Sequence, residues 1–172
     1  MTSYVALLRA VNLGPHNKMP KEVLTAVAGA LGYARARTYI ASGNLLFDAD
    51  ENEAEVKAAL QRALADHAGK PMPVMVRTGT ELAAIRDANP FTGAPGNRVV
   101  VMLLDVAPPA DALEHARNAA GEGMALGKRE IYVRYTDRGM GQSKLIIPAA
   151  KAGTARNMNT VAKLAELALS RP

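Results

Sequence analysis

The chain has 172 residues, 49% of them apolar, with no Cys, no Trp and only two Phe, Phe47 and Phe91. These totals suit one medium domain or two small ones around an aliphatic core, and they exclude disulfides, thiolate catalysis and Cys-ligated metal sites. The net charge of +5 is unevenly spread: residues 128–163 are net +6 and the remainder is net −1, so either anions are drawn to the C-terminal part or that part carries a solvated basic face.

No targeting or membrane segment is read. Arg9 interrupts the N-terminal apolar run, and the longest unbroken apolar run, Val99 to Leu104, is far short of the roughly 20 residues that span a bilayer. The expectation is a cytoplasmic protein with no membrane partner.

In chain order, Tyr4–Val11 reads as a strand closed by the turn residues Asn12-Leu13-Gly14-Pro15. Pro20–Leu31 carries Val23, Leu24, Val27 and Leu31 at helical spacing, with Gly32 as a stop. Arg37–Ala41 and Leu45–Phe47 flank Ser42-Gly43-Asn44 as a hairpin. Glu53–His67 is a second helix, Pro73–Arg77 a strand, and Thr80–Ala88 a short helix closed by Asn89-Pro90. The second half repeats the cycle. Arg98–Leu104 is a buried strand, Pro109–Ala120 a helix, Met124–Leu126 and Ile131–Tyr135 strands, and Ala155–Leu169 a C-terminal helix. Met158, Val161, Leu164, Ala165 and Ala168 face inward on that helix. A closing strand is missing or belongs to Leu145-Ile146-Ile147. The expected fold is α+β: two tandem ferredoxin-like βαββαβ units, the second degenerate, with a C-terminal helix. The expected boundaries are 1–78, a helix and linker at 79–97, and 98–172.

Four polar clusters carry candidate chemistry. Arg9 lies on the strand face of Val5 and Leu7, where it needs a partner, and Asn12 follows it. Ser42-Gly43-Asn44 serves a tight turn, or a site if Ser42 and Asn44 face Arg9. Gly139-Met140-Gly141-Gln142-Ser143-Lys144 has the glycines and cation of an anion cradle but not the spacing of a P-loop. Finally, Thr154 reads as a helix N-cap accepting from the amide of Asn157, a contact worth about 1 kcal/mol. Arg156, Asn159 and Lys163 then form one helical stripe at the positive helix terminus. His16, His67 and His115 lack metal-ligand spacing, and no catalytic motif or cofactor-binding pattern is read.

Three stretches, taken together, resemble a known family. They are Tyr4-Val5-Ala6-Leu7-Leu8-Arg9-Ala10-Val11-Asn12-Leu13-Gly14, Thr38-Tyr39-Ile40-Ala41-Ser42-Gly43-Asn44, and Thr154-Ala155-Arg156-Asn157-Met158-Asn159-Thr160-Val161 with Lys163-Leu164. In this order they look like the bacterial family named domain of unknown function 1697, and Ser143-Lys144-Leu145 fits the same pattern. Met158 stands where that family often has an aromatic residue. The resemblance implies an α+β fold with ferredoxin-like repeats in a small cytosolic protein, and implies no activity, cofactor or catalytic residue.

The functional expectation is a binding domain for a phosphate-bearing or other anionic small ligand. Arg156, Asn157, Asn159 and Lys144 contact it, Ser143 and Thr154 offer hydroxyls, and Arg9, Asn12, Ser42 and Asn44 complete the pocket. Nucleic acid is the alternative, with Tyr132 and Arg134 on one strand face as its stacking support. An enzyme of unstated reaction and a self-associating interaction module stay open, as does the oligomeric state.

Overall fold

The run Tyr4-Val5-Ala6-Leu7-Leu8 is apolar without alternation because both faces of its strand are buried. This strand, β1 (Thr2–Leu8), opens a computed structural model that describes residues 1–9, 19–40 and 43–170. The turn expected at residues 12–15 lies outside the described residues. Contacts divide the chain into two units, Met1–Leu82 with Leu164–Pro172, and Ala83–Lys163. Among the described residues the architecture is mixed α/β, with two four-stranded antiparallel sheets and four helices, the last of them C-terminal.

In the first unit β1 is followed by α1 (Lys21–Ala30), β2 (Ala34–Thr38), β3 (Asn44–Ala49), α2 (Glu53–Ala68) and β4 (Val74–Thr78). The sheet order is β2-β3-β1-β4. Register places Tyr4 opposite Phe47 and Ala6 opposite Leu45. These side chains share a core with Leu24 and Ala28 of α1 and Val56, Leu60 and Leu64 of α2. Phe47 stacks on Tyr33 at 4.8 Å and on Tyr4 at 5.9 Å between ring centroids. Three of this unit's four aromatic residues thus meet at one spot, where offset stacking adds to burial. Asn52 caps α2 by accepting from the Glu55 amide at 2.9 Å, and Gly69 ends it in the left-handed conformation at φ 71°.

The second unit's strands are β5 (Val99–Leu103), β6 (Gly123–Leu126), β7 (Glu130–Arg134) and β8 (Thr154–Asn157), in the order β6-β7-β5-β8. The two helices not yet named each span both units: α3 (Gly79–Asp87) and α4 (Met158–Leu169). Leu164–Pro172 therefore groups with the N-terminal half of the sequence rather than with its chain neighbours.

Two sequence expectations are corrected here. Pro109–Ala120 is not a helix; only a single 3-10 turn, Ala112–His115, forms. The backbone there has other partners. Arg117 exchanges both hydrogen bonds with Ile146, at 2.8 and 2.9 Å, and Asn118 takes φ 61°. Tertiary pairing overrides helix propensity. Likewise, Ala155–Leu169 is not one helix. Thr154–Asn157 forms the closing strand β8, pairing with β5, and the helix starts at Met158. The Asn157 carboxamide accepts from the Thr160 amide at 2.9 Å, so Asn157 is the cap and Thr154 is not. Thr154 cannot start the helix because β5 takes it as a strand neighbour, and the cap falls to Asn157, three residues on. The inward face of α4 is as read, with Met158, Val161, Leu164, Ala165 and Ala168 all buried.

Candidate anion site

The second unit holds a cleft of about 770 Å³. Its wall is built where β7 leaves the sheet: Arg134, Tyr135, Thr136, Asp137, Arg138 and Gly139 line it in succession. Gly139 makes the bend. Its φ of 74° is a conformation side chains disfavour, and its amide donates to Thr136 O at 2.9 Å. One 3-10 turn, Met140–Gln142, then returns the chain to the cleft at Ser143 and Lys144.

Ser143 fixes that return. Its hydroxyl donates to Glu122 Oε2 at 2.7 Å and accepts from the Leu145 amide at 3.2 Å. The Ser143 hydrogen bond, with those from the amides of Ala120 and of Glu122 itself, holds the Glu122 carboxyl below the usual glutamate range. Glu122 is therefore a carboxylate at neutral pH whose charge already has donors. Arg98, also in the lining, places its Nη1 2.6 Å from Asp137 Oδ1. The lining thus carries four cations, Arg98, Arg134, Arg138 and Lys144, against two carboxylates, Glu122 and Asp137. A concave wall with a cationic surplus concentrates anions, and guanidinium groups present fork geometry to a phosphate.

Of the residues singled out in the sequence, Ser143 and Lys144 line this cleft together. Thr154, Arg156, Asn157 and Asn159 are not among its lining residues. Thr154 is buried and lines a separate, mostly apolar hollow of about 530 Å³ with Met102, Leu145 and Ile147. Its hydroxyl accepts from Arg156 Nη1 at 2.8 Å, and the same nitrogen donates to Ala155 O at 2.9 Å. Burial draws the Arg156 pKa down to about 10. Because Arg156 sits on β8, opposite Val101, the expected helical stripe of Arg156, Asn159 and Lys163 does not exist. Asn157 is occupied as a cap, and Asn159 is exposed.

Arg9 and Asn44 belong to the first unit. Arg9 is half-buried, and its amide donates to Pro73 O at 3.1 Å. Asn44 is buried opposite Leu7, and its side-chain carboxamide donates to Tyr39 O at 3.1 Å while its backbone carbonyl accepts from the Tyr39 amide at 3.1 Å. That pair ties the residue after β2 to the first residue of β3. Asn12 and Ser42 lie outside the described residues.

Tyr132, offered as a stacking surface for bases, is 2% exposed, and its hydroxyl donates to Ile85 O at 2.7 Å. It has no face to present, and burial pushes its pKa up to about 12. Among the described residues no group of three or more His, Cys, Asp or Glu is placed to hold a metal ion, and no helix is long and apolar enough to cross a membrane.

Residues 1–132 match the family described as "Protein of unknown function (DUF1697)". The chain belongs to the DUF1697 family. The match ends inside β7, so Arg134, Arg138, Ser143 and Lys144 lie beyond the part of the chain that the DUF1697 description covers. A solved structure of a conserved bacterial protein from Streptococcus pneumoniae is similar over 99% of each chain, with a TM-score of 0.79 and 21% identity. At that identity the likeness is one of fold. No curated protein matches.

Arg98 and Arg138 were not singled out in the sequence as ligand-binding residues, and Arg134 was singled out only as stacking support for the nucleic-acid alternative. For Arg134 and Arg138 the signal was the basic surplus of residues 128–163. Arg98, outside that stretch, reaches the cleft only through the pairing of β5 with β7.

Proposed function

We propose that the second unit binds a phosphate-bearing or other anionic small molecule in the cleft at the end of β7. The observation that carries this reading is the lining itself: Arg98, Arg134, Arg138 and Lys144 in one cleft of about 770 Å³, with Asp137 paired to Arg98 and Glu122 held by Ser143. The volume falls within the usual range for small-molecule sites. Arg138 and Lys144 are exposed, and they supply charge to an incoming anion. Ser143, tethered to Glu122, sets the position of Lys144. A cytoplasmic setting, with phosphorylated metabolites at hand, suits this reading.

The test is a thermal-shift and calorimetric titration with inorganic phosphate, pyrophosphate and phosphorylated metabolites. A ligand held at about 100 times its Kd stabilises the folded state by about 2.7 kcal/mol. Lys144→Ala and Arg138→Ala should each weaken binding several-fold with unchanged stability of the free protein. If no anion raises the melting temperature of the wild type, the reading fails. The nucleic-acid alternative loses Tyr132 as a stacking residue and requires affinity that falls steeply with salt, which the same titration at two ionic strengths reads out.

For the architecture, we read the two sheets as degenerate copies of one ferredoxin-like βαββαβ unit. Each sheet sets its strands in the order second, third, first, fourth, and this shared order supports the reading.

A further inference from the structure

Arg134 lines the cationic cleft on one side and a second hollow on the other. That hollow, of about 330 Å³, is formed by Pro90, Phe91, Gly93, Ala94 and Arg134. Arg134 and Ala94 belong to both walls, so the two spaces adjoin. Between them the Arg134 guanidinium lies over the Phe91 ring, 5.5 Å from its centroid.

Several features seat this pair. Phe91 is only half-buried, although Phe47, the other Phe, is fully buried in the first unit's core. The Asn89 carboxamide accepts from the Phe91 amide at 2.9 Å, and Phe91 O accepts from the Ala94 amide at 3.0 Å. Arg134 Nη2 donates to Gly121 O at 3.2 Å. Gly123, opposite Arg134 in the β6–β7 register, has no side chain. A Cβ there would stand 2.9 Å from the Phe91 ring and 3.1 Å from Arg134 Cζ. The glycine leaves room for ring and guanidinium to lie together.

An anion alone needs no aromatic ring beside its arginine. A guanidinium backed by a ring is a flat, weakly hydrated surface suited to stacking a second planar group. We propose that the anion taken by this cleft is a nucleotide, its base stacked at the Arg134–Phe91 pair and its phosphate among Arg138 and Lys144. The inference rests on the anion reading of the same cleft. Stacking of a base on such a surface gives roughly a tenfold gain in affinity.

The experiment is calorimetry of the full chain with the four ribonucleoside 5′-monophosphates, ribose 5-phosphate and inorganic phosphate. At least one nucleotide should bind about tenfold more tightly than ribose 5-phosphate. Phe91→Leu should cancel that preference while leaving the affinity for ribose 5-phosphate unchanged. In the wild type, the Phe91 ring protons should shift on adding the nucleotide and not on adding ribose 5-phosphate, a readout that holds even if the variant folds poorly. Equal affinity for nucleotides and ribose 5-phosphate overturns the stacking proposal and leaves the anion reading intact. So does a nucleotide preference that survives Phe91→Leu. Absence of binding by every compound overturns both.

Discussion

Replacing Tyr132 by Phe removes one oxygen and tests how the second unit is held together. Tyr132 is 2% exposed, and its hydroxyl donates to Ile85 O at 2.7 Å. Ile85 lies in the last turn of α3, where carbonyls run out of helical donors. The amide four residues on, that of Asn89, donates instead to Arg86 O, and the Ala88 amide donates to Ala84 O. The Tyr132 hydroxyl thus takes the place of the missing helical donor. Leaving a buried acceptor unmatched costs about 1–3 kcal/mol. For a chain of this length each kcal/mol lowers the melting temperature by roughly 2–4 °C. Tyr132→Phe should therefore melt about 2–12 °C lower, by calorimetry or far-UV circular dichroism. Burial pushes the Tyr132 pKa up to about 12, so the ultraviolet titration of the wild type should include a tyrosine step near that pH that the variant lacks. A melting temperature within 1 °C of wild type would refute the claim that this hydroxyl satisfies the end of α3.

Three further outcomes are expected. Asn157→Ala should destabilise by about 1 kcal/mol in urea melts and Asn157→Asp by much less, because a carboxylate also caps; a cost for Asn157→Asp equal to that of Asn157→Ala would mean the cap is not the source. Gly69→Ala should cost about 1 kcal/mol, since open space surrounds Gly69 and only its left-handed backbone resists a side chain; an unchanged denaturation midpoint would argue against that conformation. Hydrogen bonding to Arg35, and then to Ser3, lowers the Asp48 pKa. The stability this provides is complete above the ordinary aspartate pKa and is lost as pH falls through the lower folded value. Asp48→Asn should accordingly flatten the acid limb of the stability curve, and a limb that stays as steep would assign the acid sensitivity elsewhere.

Much of the fold was legible in the sequence because its elements carry their own patterns. The apolar run of β1, the helical pattern of Glu53–His67 and the inward face of α4 are local signals, and each element formed close to where they put it. Failure came where a segment's backbone bonds are made far along the chain. Arg117 pairs with Ile146 instead of continuing a helix, and Thr154–Asn157 pairs with β5 instead of beginning one. Neither competition shows in the segment's own residues.

The candidate site divides in the same way. Composition alone located the basic surplus between residues 128 and 163, and the glycine-bearing turn before Lys144 could be read directly. Which cations share a hollow depends on strand register and on the bend at Gly139, so only the tertiary structure brought Arg98, Arg134, Arg138 and Lys144 to one cleft and set Phe91 beneath Arg134. Charge is a property of residues and can be summed along a chain. A binding surface is a property of distances between residues remote in sequence, and those exist only after folding.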